Sequence, residues 1–436
     1  MGKHGMTYRR DNQMTETKTG TFSRKDRLAY GWVILTILSL AQVVMSIGAY
    51  AWGPLAPFLR NDFGITRAQV GALTSVLYLA SVIVATPSGV LVDKKGARIM
   101  LITCLLVMGI SFICMAVVNS YFLLAILAGC AGIGYGMINQ VAVKGVMYWT
   151  TTKTRGTAMG VRQAGVTVGG AISATFLVVL TGMYDWQLSV IIIGVLILIM
   201  AVFAVVFYRE KPPELIEETV ETTSASAERI LPKKKATLGQ VFRNPDLVVN
   251  MVAIPLLAGS QACLGSFLIL YLMENIQVTE VTAGFSLTLA MIAGTIGRVG
   301  WGVISDRIFN GERILTLLVI SLLALLGSLG AIFLQPGSPK LFVFVIAILL
   351  GGTLLGFHGV LMALVGEISG AELAGSVSGI LVTVAWSGIV LFPVAFGAIA
   401  DSFGYRWSWT MVAATAVVSI VAYTYSYLRK AKKVVV

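Results

Sequence analysis

The chain has 436 residues, of which 57% are hydrophobic and only 12% are charged, and its formal net charge is +12. Soluble domains carry about 25% charged residues, so this composition excludes a soluble globular protein. The four cysteines show neither metal-ligand spacing nor a disulfide framework, and we expect no metal and no cofactor.

Apolar stretches of about 20 residues recur along nearly the whole chain, and each is long enough to cross the hydrocarbon layer as a helix. No stretch alternates polar and apolar residues as the strands of a membrane barrel do. The sequence therefore predicts an all-α polytopic membrane protein with twelve transmembrane helices. The predicted spans are 30–52, 68–92, 98–118, 121–149, 156–181, 186–208, 246–273, 281–305, 313–334, 341–366, 375–399 and 406–428.

A hydrophilic segment at 209–245 divides the chain into two six-helix halves, 30–208 and 246–428, with tails at 1–29 and 429–436. Its blocks REKPPELIEETVE and LPKKK are typical of a flexible linker. The halves also repeat one another. GVLVDKKGAR at 89–98 matches GVISDRIFNGER at 302–313, and RGTAMGV at 155–161 matches AGSVSGI at 374–380. These offsets indicate an internal duplication, which predicts the pseudo-symmetric halves of a transporter.

Most lysines and arginines fall in the two tails and in the loops that follow the second, fourth and eighth spans. By the positive-inside rule, both termini are expected in the cytoplasm. Topology and contact with the lipid bilayer then explain the positive charge, and no nucleic-acid partner is expected. The absence of any Asn-x-Ser/Thr sequon favours a bacterial inner (plasma) membrane. We expect a monomer.

Three cations lie inside the predicted spans, away from the span ends. Arg298, in IAGTIGRVGWGVISDR at 292–307, is eight residues before Asp306 and thus roughly 12 Å inside the membrane. Lys144 and Arg162 lie in the cytoplasmic halves of the fourth and fifth spans. A charge that faces lipid costs roughly 3 kcal/mol or more, so these side chains are expected to face the bundle interior or a watery cavity. The alternative for Lys144 and Arg162 is that they snorkel to the interface.

No aspartate or glutamate lies deep in any span, so this interior positive charge favours an anionic ligand. Asn139, Gln261 and His358 supply polar groups to the candidate site. His358 is the only histidine within a span, and it is a candidate carrier of a coupled proton. The alternative is a neutral histidine that forms a hydrogen bond with a neighbouring helix. The predicted function is secondary active transport of a small organic anion with protons. The alternative is a proton-coupled exporter of amphipathic compounds or drugs, and an enzyme is not expected.

The segment GVLVDKKGAR closely resembles the signature of the major facilitator superfamily, G-x-x-x-D-[RK]-x-G-[RK]-[RK], between the second and third helices. The resemblance implies the major facilitator fold and a gating role for Gly89, Asp93 and Arg98. Asp93 would then face the start of the eleventh span, near residues 372–375. The resemblance extends to GVISDR, where Asp306 and Arg307 would act in the same way.

Two further motifs resemble carriers of organic anions. The pattern R-x-x-x-G-x-x-x-D from Arg298 to Asp306 is similar to the eighth helix of monocarboxylate carriers, where the arginine engages the substrate carboxylate. Val299 replaces the proline that often follows that arginine. KGVMYW at 144–149 resembles the K/R-x-V-x-x-W of organic-anion symporters, and together the two motifs imply a monocarboxylate as substrate.

Overall fold

A computed structural model of the chain describes residues 24–150, 155–210 and 245–434, with only the backbone given for 24–29, 155–157, 246, 366, 368–380, 382 and 430–434. Within these ranges, twelve helices are long and apolar enough to cross a membrane, which confirms the predicted fold class. In chain order, α1 to α12 span Tyr30–Phe63, Arg67–Lys95, Ala97–Met115, Tyr121–Trp149, Ala158–Met183, Trp186–Phe207, Leu247–Glu274, Glu280–Arg307, Arg313–Phe333, Lys340–Val365, Thr383–Phe403 and Tyr405–Arg429.

The first and last helices are longer than predicted. α1 breaks after Ala49 and restarts as a second helix, Trp52–Phe63. Pro54 has no N–H to donate to the carbonyl four residues earlier, which accounts for the interruption at Tyr50. The helix that contains α12 extends from Tyr405 to Val434, into the predicted tail. The predicted linker falls almost entirely on residues 211–244, outside the described residues.

Helix packing follows the same scheme in both halves. In the first half, α1 packs on α5, α2 on α4 and α3 on α6, and in the second half α7 packs on α11, α8 on α10 and α9 on α12. Glycines allow this close approach, because a Cβ at Gly132 of α4 would clash with the Leu77 carbonyl of α2. The matching contacts are the structural counterpart of the duplication in the sequence.

The two halves meet mainly along three pairs of helices, α1 with α7, α2 with α11 and α5 with α8, and α2 also touches α7. We call the end of the bundle at Phe207 and Leu247 the linker face, and the opposite end the closed face. Toward the closed face the backbones of the halves touch, since a Cβ at Gly53 would clash with the Gly265 carbonyl and one at Gly71 with the Pro393 carbonyl.

Toward the linker face, Gly160 of α5 and Gly300 and Gly302 of α8 have no described atom within 4 Å of the position of a Cβ, although α5 and α8 pack together further along. The space between the halves is therefore blocked at the closed face, and these glycines border open space toward the other end.

Candidate substrate site

Arg298 lies on α8, about two and a half helical turns from the end of that helix at Arg307. Its Nε donates a hydrogen bond to the carbonyl oxygen of Leu355 on α10 at 3.1 Å. This single bond fixes one side of the guanidinium. Among the described residues, no hydrogen-bond acceptor is assigned to its two terminal nitrogens.

Arg162 lies on α5 in the other half and is only 3% exposed, so it does not snorkel to the interface. Its Nη1 and Nη2 both donate to Asn139 Oδ1 of α4 at 3.0 Å. Nη2 also contacts the Gln163 carboxamide, and Nε has no hydrogen-bond partner among the described side chains and backbone. The predicted site residues Arg162 and Asn139 are thus brought together.

Neither arginine has an acidic partner within the described part of the chain. The ion pairs found there join other cations, namely Arg60, Arg67, Lys144 and Arg313. A buried charge without a partner is costly, and the cost falls when an opposite charge binds. Each half therefore contributes one guanidinium that has no counter-ion among the residues that the structure describes.

Tyrosine side chains lie near these charges. Tyr135 is close enough to interact electrostatically with both Arg162 and Arg298. Its ring packs edge-on against Tyr78 with centroids 6.0 Å apart, and Tyr78 makes the same contact with Trp386 of α11, also at 6.0 Å. Sequence reasoning missed Tyr78 and Tyr135. The signal for Tyr135 was its position one helical turn before Asn139, on the same face.

Further polar side chains lie between these residues and the closed face. Tyr50, at the break in α1, lies beside Gln261 of α7 and interacts with Arg298. Gln261 is 9% exposed, and its Oε1 accepts no hydrogen bond from any described group. A buried amide oxygen with a free acceptor position suits a hydroxyl or amide donor of a ligand.

His358 lies at the start of the helical segment after the π-helical turn Gly351–Leu355 of α10. Its ring packs against Phe357 with centroids 4.2 Å apart and lies beside the Leu355 carbonyl, within electrostatic range of Arg298. Nδ1 has no hydrogen-bond partner in the described structure. Any positive charge on the ring would therefore repel the guanidinium.

Two cavities follow one another along the interface and share Ile389. The one nearer the closed face is bordered by Tyr50, Thr74, Tyr78, Gln261, Ser266 and Ile389. The other is bordered by His358, Phe357, Trp386 and Ile389, together with apolar residues of α7 and α10. The predicted residues Gln261 and His358 and the missed residue Tyr78 thus line these cavities, whereas Arg298, Arg162 and Asn139 line neither of the two.

Lys144 departs from its predicted place in the substrate site. Its Nζ lies 3.1 Å from Asp93 Oδ1 and 2.8 Å from the Val92 carbonyl oxygen, at the linker face. The charge of Lys144 is therefore already balanced by a carboxylate. Asp93 in turn has a partner other than the expected one, and the side chains of residues 372–375 lie outside the described part of the structure.

The other predicted gating residues also lie at the linker face. Arg98 Nη2 donates to the Val205 carbonyl at 2.6 Å, while the Glu210 carboxylate accepts from the backbone N–H of Ala97 and Arg98 at 2.8 and 2.9 Å. The side chain of Gln140 is the nearest neighbour of Gly89.

In the second half, Arg313 pairs with Asp306 at 2.5 Å and with Glu367 at 3.0 Å, and Arg307 is exposed. These contacts stay within one half. Each therefore holds a loop of its own half at the linker face rather than joining the two halves.

A network of charges joins the halves at the closed face, and sequence reasoning missed it. Arg60 and Arg67 of the first half both pair with Glu274 of α7, the latter at 2.8 Å. Asp401 of α11 accepts from the backbone N–H of Arg67 at 3.0 Å, and Tyr405 donates to Glu274 at 2.8 Å. We call Arg60, Arg67, Glu274, Asp401 and Tyr405 the closed-face network.

Twelve spanning helices in two matched halves surround a polar interface that is blocked at one end. This arrangement can bind a solute between the halves and release it when the halves rock, which defines a membrane transporter.

Comparison with known proteins also identifies a membrane transporter. The family model "Major Facilitator Superfamily" matches residues 38–393 and 251–435, and the chain belongs to this family. It is 24% identical to the hexuronate transporter of Bacillus subtilis over 87% of this chain and 89% of that protein. It is 25% identical to the probable sulfoacetate transporter SauU of Cupriavidus necator over 66% of this chain and 67% of that protein. The family and these relatives are transporters, so the expectation that the chain is not an enzyme is confirmed.

The fold is also similar to the crystal structure of a bacterial homolog to the human lysosomal transporter Spinster in an inward-facing and occupied conformation. The TM-score is 0.74 at 17% sequence identity, over 92% of this chain and 96% of that one. At this identity, the similarity concerns the fold alone.

Proposed function

We propose that this protein transports a small organic anion, a hydroxylated monocarboxylate of the hexuronate type, by alternating access. The observation that carries the proposal is the pair of interior guanidinium groups, Arg298 and Arg162, without a counter-ion among the described residues. A carboxylate matches the fork of a guanidinium and forms charge-assisted hydrogen bonds with it. The relatives named for hexuronate and sulfoacetate support an anion as substrate.

Arg298 is the proposed ligand of the carboxylate, because its two terminal nitrogens remain available while Nε is held by Leu355. Arg162 adds positive potential from the opposite half through Asn139 and Tyr135. Gln261 and Tyr50 would bind substrate hydroxyl groups near the closed face. A solute held in this way contacts both halves, so its binding can favour closure of the halves around it.

Proton coupling through His358 is part of the proposal. A protonated His358 repels Arg298 when no anion is bound. An anion bound to Arg298 would neutralise its charge and so weaken that repulsion. The anion and the proton would then bind cooperatively, each raising the affinity for the other by the same factor. The charged and titratable groups near the ring are Arg298 and, through Arg298, Tyr50 and Tyr135.

The linker face is proposed to be the cytoplasmic side of a bacterial inner membrane, in agreement with the distribution of lysine and arginine. The structure then corresponds to an inward-facing state. The loop contacts of Asp93, Arg98, Asp306 and Arg307 would control the cytoplasmic opening, and the protein would act as a monomer within the bilayer.

Uptake by reconstituted proteoliposomes tests the proposal. Radiolabelled glucuronate should enter, unlabelled organic acids should compete, and the lipophilic cation tetraphenylphosphonium should not. Arg298→Ala should abolish uptake at an unchanged amount of protein in the membrane, whereas Arg406→Ala, at an exposed arginine of the same half, should not. Normal glucuronate uptake by Arg298→Ala would refute the proposal, and transport of the cation alone would favour an exporter of amphipathic compounds.

A further inference from the structure

Two side chains of α8 bind the same turn of α10. Trp301 Nε1 donates to the carbonyl oxygen of Gly352 at 2.8 Å, and Arg298 Nε donates to the carbonyl oxygen of Leu355 at 3.1 Å. The donors are three residues apart, and so are the acceptors. Both acceptors belong to the π-helical turn Gly351–Leu355.

A π-helical turn explains why these donors are needed. It replaces the regular i→i+4 hydrogen bonds with wider i→i+5 bonds and so disturbs the carbonyl ladder of the helix. Within a membrane, carbonyl groups released in this way need donors from neighbouring helices, because water is scarce. Trp301 supplies a neutral donor to Gly352, and Arg298 supplies a charged one to Leu355.

The helix backbones are close enough to hold this geometry. A Cβ at Gly297 of α8 would lie 2.5 Å from the Gly352 carbonyl oxygen, and one at Gly359 of α10 would clash with the Arg298 carbonyl. Small residues therefore bring the two backbones together on both sides of the arginine. Little room remains for the π-helical turn to shift while both bonds are intact.

We propose that Trp301 is a positioning residue for anion binding. Its indole N–H holds the π-helical turn so that the Leu355 carbonyl fixes Arg298 Nε and leaves both terminal nitrogens for the substrate. Trp301 itself does not touch the anion. The proposal rests on the function proposed above, and it assigns a role to a residue whose only sequence signal is its position one turn after Arg298.

The test is Trp301→Phe, which keeps an aromatic ring and removes the N–H. Trp149→Phe is the matched control, because Trp149 is also partly exposed and its Nε1 has no partner among the described residues. Loss of one hydrogen bond and of the arginine's fixed orientation should raise the KM for glucuronate about tenfold. Vmax should change less than twofold, and Trp149→Phe should leave KM unchanged.

A purely structural role would lower Vmax or the amount of protein and leave KM alone, and that result would overturn the inference. Two further variants sharpen the test. Gly297→Ala places a methyl group against the Gly352 carbonyl and so displaces the π-helical turn without altering Trp301. It should raise the KM for glucuronate in the same way. Arg298→Lys lacks the Nε donor to Leu355, so adding Trp301→Phe to that variant should not change KM further. A full tenfold increase in the double variant would contradict the proposal that Trp301 acts through Arg298.

The failure of this inference is distinguishable from failure of the proposed function. Loss of uptake in Arg298→Ala together with an unchanged KM in Trp301→Phe would reject the positioning role alone. Normal uptake by Arg298→Ala would reject the binding of the anion by this arginine.

Discussion

Glu274→Gln should open the closed face, because it removes the one carboxylate that both arginines of the closed-face network share. The Glu274 side chain is 26% exposed and is therefore partly screened by solvent. Two exposed ion pairs contribute about 0.2–1 kcal/mol each, and the bond from Tyr405 adds a similar amount, so the loss is about 1–2 kcal/mol. A change of that size alters the ratio of two conformations by roughly 5- to 30-fold.

A buried reporter residue lies about two helical turns from this network. Thr74 of α2 is 5% exposed, and its hydroxyl is 2.9 Å from that of Ser266 on α7, across the interface between the halves. With the four native cysteines replaced, Thr74→Cys should react with a hydrophilic maleimide at least fivefold faster when Glu274→Gln is added. Arg406→Gln, which removes an exposed charge at the same face, should have no effect. An unchanged labelling rate in the Glu274→Gln protein would refute the idea that this network holds the halves together.

Three further outcomes follow from the site. Arg162→Gln should raise the KM for glucuronate at least tenfold in proteoliposomes, whereas Lys144→Gln should raise it less than threefold, and an equal effect would contradict the separate places of these cations. His358→Gln should retain glucuronate binding but lose the pH dependence of uptake, and an unchanged pH profile would exclude the proton role. Gly71→Val should slow transport several-fold and speed labelling of Thr74→Cys, because its side chain would collide with the Pro393 carbonyl; unaltered rates would show that this contact is not needed for closure.

The fold could be predicted from the sequence because hydrophobic length determines which segments cross the membrane. The same physics explains the errors at helix ends. Residues 50–63 contain two prolines and two charged residues, so hydropathy alone ended α1 too early, although the helix resumes at Trp52. The matching helix contacts in the two halves agree with the duplication that two pairs of similar motifs indicated.

The site could be predicted only where burial of charge itself was the signal. Arg298 and Arg162 were candidates because a charge within a span is costly when it faces lipid. That Arg162 is buried against Asn139 rather than at the interface could be learned only from the structure. The pairing of Lys144 with Asp93 was missed because the two residues lie 51 positions apart on different helices, which no local pattern reveals. The π-helical turn and the closed-face network were missed for the same reason, since both depend on contacts between distant helices.

The central claim is that Arg298 binds the negative charge of the substrate. Isothermal titration of purified protein with glucuronate and with its neutral amide, glucuronamide, tests this claim most directly. Loss of a buried charge-assisted pair costs about 2–5 kcal/mol, so glucuronate should bind wild-type protein at least 30-fold more tightly than glucuronamide does. In Arg298→Gln, the two compounds should bind with similar, weak affinity. Retention of the full preference for glucuronate in that variant would contradict the account.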